Sequence, residues 1–82
     1  PTSSLKQEMY YKIGYRFHVL YEMMAFSPQQ NLRDPAKARE YKDKAFYSYR
    51  MALKQPMQSK FAKKAWEDLG RLEDGKRIYI TE

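Results

Sequence analysis

The stretch SLKQEMYYKIGYRFHVLYEMMAF, residues 4–26, decides the fold. Met9, Ile13, Phe17, Leu20 and Met24 recur in it at spacings of four, four, three and four, which places them on one face of an α-helix. Tyr10, Tyr21 and Phe26 widen that stripe, so the helix is expected to be buried on more than one side. Ser4-Leu5-Lys6-Gln7 at its start has the form of a capping box, with Ser4 accepting from the backbone three residues on and Gln7 reaching back. Ser27-Pro28 ends it near Phe26, because the residue before a proline is pushed out of the helical region.

Downstream of this helix, residues 27–34 are polar except for Leu32, which is expected to pin the connection to the core. Asp34-Pro35 is a strong start signal, an N-cap followed by proline at the first helical position. The second helix carries Ala38, Tyr41, Ala45, Tyr49 and Ala52 on one face, with Phe46 and Leu53 beside it. Its alanines leave room for another helix to come close, and Glu40 and Lys44 form an i,i+4 pair on the wet side. Gln55-Pro56 breaks the pattern. A third helix has Phe61, Ala65, Leu69 and Leu72 in register, Ala62 and Trp66 alongside, and Gly75 as its C-terminal stop. Ile78-Tyr79-Ile80 alternates like a strand with nothing in the chain to pair with. It docks on the bundle, adds to a partner's sheet edge or stays loose. The fold expected is therefore all-α: a small three-helix bundle over residues 1–82, with helices at about 4–26, 35–55 and 57–74 and a short extended C-terminal tail, 76–82.

Tyr10-x-x-Ile13-Gly14-x-x-Phe17 and Trp66-x-x-Leu69-Gly70 share a spacing, with Glu73 standing where the second aromatic is expected, and both resemble the first helix of a tetratricopeptide (TPR) repeat. Ala45, Tyr49, Ala52 and then Pro56 resemble the second helix, the proline standing one residue early. The resemblance covers residues 10–17 and 45–70, roughly one and a half repeats. It implies TPR-like helical hairpin packing and a scaffold that binds another protein's helix or peptide in a groove. Glycine in mid-helix costs about 1 kcal/mol relative to alanine. Gly14 and Gly70 are accordingly expected to lie where a neighbouring helix packs against the backbone.

Composition narrows the function. The chain has 82 residues, with 16 Lys+Arg against 10 Asp+Glu, a formal charge of +6, no cysteine and one histidine, His18. Without cysteine there is no disulfide scaffold and no Cys-based zinc module. The apolar run Val19 to Phe26 is interrupted by Glu22 and is far shorter than the roughly 20 residues of a membrane span. No leader pattern precedes it, and a cytoplasmic location is expected. Residues 33–64 carry a net +7 and the remainder of the chain −1, so a positive field is concentrated on the second helix and the start of the third.

Chemistry beyond charge is sparse. His18 and Glu22 lie one turn apart and would supply only two metal ligands, so they read as a partly buried histidine bonded to its neighbour. Glu67-Asp68 and Glu73-Asp74 diverge by about 100° on a helix and read as solvated surface. No nucleophile–base set, phosphate-binding glycine loop or metal cluster is evident, so no enzyme, no metal and no cofactor are expected. The candidate binding residues are Arg39, Lys42, Lys44, Arg50 and Lys54 on the second helix and Lys60, Lys63 and Lys64 on the third, with Phe46 and Tyr47 for stacking or contact. Phe61 and Trp66 read as core. The expected function is that of a small basic non-catalytic adaptor docking on an acidic protein surface, as a subunit of a larger assembly. The alternative is an RNA- or DNA-binding protein using the same strip of cations against phosphates.

Overall fold

A computed structural model describes residues 2–56 and 58–80. Helix α1 spans Thr2–Phe26, α2 spans Pro35–Lys54 and α3 spans Lys60–Asp74, with a single 3₁₀ turn at Gln30–Leu32 between α1 and α2. No strand occurs among the described residues, and the bundle measures 45 × 20 × 15 Å. Three of the helix ends are built as the sequence predicts. The Asp34 side chain accepts from the Lys37 N–H at 3.1 Å, with Pro35 opening α2. Gly75 adopts φ +75° after α3, and the Lys76 N–H closes on the Arg71 carbonyl at 2.9 Å. α1 stops at Phe26. Helix α3 begins at Lys60 rather than 57, because the Ser59 hydroxyl accepts from the Phe61 N–H and acts as its cap. The expected start at Met57 and the tail residues Thr81 and Glu82 lie outside the described residues.

The capping box is not used. Ser4 lies inside α1, and Gln7 is fully buried. Its amide donates to the Ala52 carbonyl at 3.1 Å and accepts from the Ser59 hydroxyl, tying α1 to the end of α2 and the cap of α3. Leu32 does not pin its connection, being 52% exposed. That connection is held by polar bonds instead, from Arg33 Nε to the Ser27 carbonyl (2.7 Å) and from the Asp34 N–H to the Met24 carbonyl (2.9 Å).

The core is Ala45, Tyr49 and Ala52 of α2 with Ala65 and Leu72 of α3, flanked by Tyr10, Tyr11, Phe17, Tyr21, Phe46 and Leu69. The face of α2 is as expected. That of α1 is not: its inward stripe is Gln7, Tyr11, Gly14, His18 and Glu22, while Met9 and Ile13 are exposed and Phe17, Leu20 and Met24 half-buried. Apolar side chains surround α1 on every side, so hydrophobicity alone does not choose its inner face. Gly14 does. A Cβ there would stand 2.6 Å from Cδ1 of the buried Tyr49 ring, so α2 meets α1 where the missing side chain makes room. Gly70 has nothing within 4 Å of the same position, contrary to expectation, and Trp66 is 65% exposed rather than core.

Candidate macromolecule-binding surface

The buried polar groups of α1 explain themselves as fold-holding contacts. His18 is fully rather than partly buried, and its bonded partner is Tyr49 rather than Glu22. The Tyr49 hydroxyl and His18 Nδ1 are hydrogen-bonded at 2.9 Å, while the buried Nε2 faces Glu22 Oε2 at 3.5 Å without a hydrogen bond. Burial pushes the His18 pKa down, outweighing the nearby carboxylates, and burial pushes the Tyr49 phenol up. The Glu22 carboxylate accepts three backbone N–H groups of the tail, from Ile78 (2.7 Å), Tyr79 and Ile80 (both 2.8 Å). Of the three fates open to the tail, docking on the bundle is the one observed. Asp68 is buried, not solvated: it accepts from Tyr11 at 2.8 Å and pairs with Arg71. Glu67, Glu73 and Asp74 are exposed as expected. No group of three metal-ligating side chains occurs among the described residues. Nor is any helix among them long and apolar enough to cross a membrane.

The cations on α2 form an ordered strip. Lys42 Nζ stands 5.4 Å from the Tyr21 ring and 6.0 Å from Phe46, and the Arg50 guanidinium, one turn after Phe46, lies 5.1 Å from the same ring. Arg39 is one turn before Lys42 on the same flank. Phe46, Tyr47, Arg50 and Lys54 line a shallow groove of about 470 Å³ with Asp43 and Met51. Tyr47, 62% exposed, is its one strongly exposed ring.

The remaining candidates face other ways, although Lys44 shares a second groove with Asp43 and Tyr47. Lys44 is on the other flank of α2, 3.4 Å from Glu40 and 5.5 Å over the Phe17 ring. Lys60 and Lys64 lie over Phe61, at 5.2 and 5.8 Å, and that half-buried ring packs 6.1 Å from Tyr11 of α1. Lys63 borders a separate cleft with Trp66 and Leu53. The structure thus gathers Arg39, Lys42, Phe46, Tyr47, Arg50 and Lys54, leaves Lys44 on a second groove that shares Asp43 and Tyr47 with the first, and sets Lys60, Lys63 and Lys64 apart on α3. Sequence reasoning missed the acidic member of the groove, Asp43, although its place three and four residues before Phe46 and Tyr47 puts it on their face. It also missed the exposure of Trp66, whose direct neighbour Ala65 takes the inward position. No family model, curated protein or solved structure matches the chain.

Proposed function

We propose that this chain is a small non-catalytic binding protein of the cytoplasm that docks on an acidic protein surface through the α2 strip, as a subunit of a larger assembly. The observation that carries the reading is the groove in which Arg50, Lys54 and the exposed Tyr47 surround Phe46, with Lys42 and Arg39 beside it. Cations held over aromatic rings are partly ordered before a partner arrives, so less side-chain freedom is lost on binding. Tyrosine and arginine are also the residue types that most often anchor interfaces. Asp43 favours a protein partner over nucleic acid. A carboxylate inside the groove repels a continuous line of phosphates, yet it can pair with a basic side chain of a protein. Lys44, Lys60, Lys63 and Lys64 contribute through the field that speeds encounter. The resemblance of residues 10–17 and 45–70 to TPR helices points to the same class of function, a helical scaffold that presents a surface.

The test is fluorescence anisotropy with a labelled glutamate-rich helical peptide, and with short single-stranded RNA and DNA, over a salt series. The peptide is expected to bind, and Lys42→Glu with Arg50→Glu to weaken it by at least about tenfold. Tighter binding of RNA or DNA, falling steeply with salt, would replace this reading by the nucleic-acid one. No binding of any probe at low salt would overturn both.

A further inference from the structure

Lys63, Trp66, Gly70 and Glu73 are spaced three, four and three apart, so they share one face of α3, turned away from the buried Ala65, Asp68 and Leu72. Two features of that face have no explanation inside the molecule. A mid-helix glycine costs about 1 kcal/mol, and Gly70 meets nothing within 4 Å, whereas Gly14 receives the Tyr49 ring. One turn before it the only tryptophan of the chain is 65% exposed. A large aromatic ring next to a bare stretch of backbone is a knob beside a hole.

We propose that the chain self-associates through α3 as a two-fold dimer of antiparallel helices, in which Trp66 of each copy covers Gly70 of the other and Lys63 faces Glu73 across the axis. In an antiparallel pair, facing positions have a constant sum. The sum that sets Trp66 against Gly70 also sets Lys63 against Glu73. One register therefore matches both shape and charge, twice over, as a two-fold interface requires. The occupant is a second copy because this face complements itself. The other exposed apolar face, Leu5, Met9, Ile13 and Met23 on α1, is less suited: its carboxylate, Glu8, is already paired with Lys12 of the same helix at 2.6 Å, which leaves Arg16 with no opposite charge to face. A single pair of four-turn helices buries well under the roughly 1,200 Å² of stable complexes, so the dimer is weak and concentration-dependent.

Sedimentation velocity and Trp66 emission, followed over a concentration series of the full chain, test this. Dimer formation is expected to appear together with a blue shift of the indole emission. Gly70→Gln, which fills the hole with a good helix former, is expected to raise the melting temperature while weakening association at least tenfold, or about 1.4 kcal/mol. Glu73→Lys alone should weaken the dimer about tenfold, and adding Lys63→Glu should restore it to within about threefold. A chain that stays monomeric with unshifted emission at its highest soluble concentration overturns the proposal. So does association that survives Gly70→Gln, or a charge swap that fails to rescue.

Discussion

Two glycines one helix apart show how little a residue's identity says without its neighbours. At Gly14 an added methyl would press on the buried Tyr49 ring, which has His18 and the core alanines around it and nowhere to move. Gly14→Ala is expected to destabilise the fold by about 1–2 kcal/mol in urea unfolding, the overpacking outweighing the gain in helix propensity. Gly70→Ala, facing open space, is expected to stabilise it by up to about 1 kcal/mol. Glu22 is the other decisive residue. Glu22→Gln replaces an acceptor of three N–H groups by an amide with a single acceptor atom, and is expected to cost about 2 kcal/mol. Faster amide exchange at Ile78, Tyr79 and Ile80 would register the released tail.

His18 sets the behaviour in acid. Its folded pKa lies below the 6.5 of the free side chain, because burial disfavours the imidazolium. Between the two values the unfolded chain holds the extra proton, so this contribution to stability is whole above about pH 6.5 and is lost as the pH falls below it. A melting series is expected to show that acid loss in the native chain and a flatter limb in His18→Gln. Tyr49 and Tyr11 act at the other end. Both are held protonated in the fold, so their contribution is lost as the pH rises past the ordinary tyrosine value of 10.0.

At the scale of the element, the alanine-tyrosine face of α2 follows from spacing alone, while on α3 spacing gave Ala65 and Leu72 but put Trp66 in the core and Asp68 in solvent, the reverse of their places. Helix α1 was legible as a helix but not in its orientation. With apolar residues all round, the period identifies the helix, and in the sequence only Gly14 marks the side on which a neighbour packs. That face is fixed by contacts distant in sequence: Gln7 with Ala52 and Ser59, Tyr11 with Asp68, His18 with Tyr49, Glu22 with the tail. A polar column is read as surface until its partners are known, and these lie 31 to 58 residues away. The inversion predicts a reversal of the usual ranking. Gln7→Ala is expected to cost about 1–3 kcal/mol, since it strands the buried Ala52 carbonyl and a half-buried hydroxyl, Ser59, and removes the bonds to both. Met9→Ala, at a position 47% exposed, should change stability by no more than about 0.5 kcal/mol.

For the whole molecule, the concentration of charge in residues 33–64 was visible in the sequence, but its division was not. Folding wraps part of that charge around rings that face different ways: Lys44 over Phe17, Lys60 and Lys64 over Phe61, Lys42 and Arg50 over Phe46. Two of these sets border a groove that includes the exposed Tyr47, but only the set around Phe46 brings several cations to it, and that is why the proposed interface is narrower than the basic segment. The most direct measurement is a titration of the isotope-labelled chain with a glutamate-rich peptide, read as amide chemical shifts. Changes confined to Arg39, Lys42, Asp43, Phe46, Tyr47, Arg50 and Lys54 are the result expected of a docking site on α2. Shifts spread evenly over every lysine and arginine, or clustered away from α2, would contradict it.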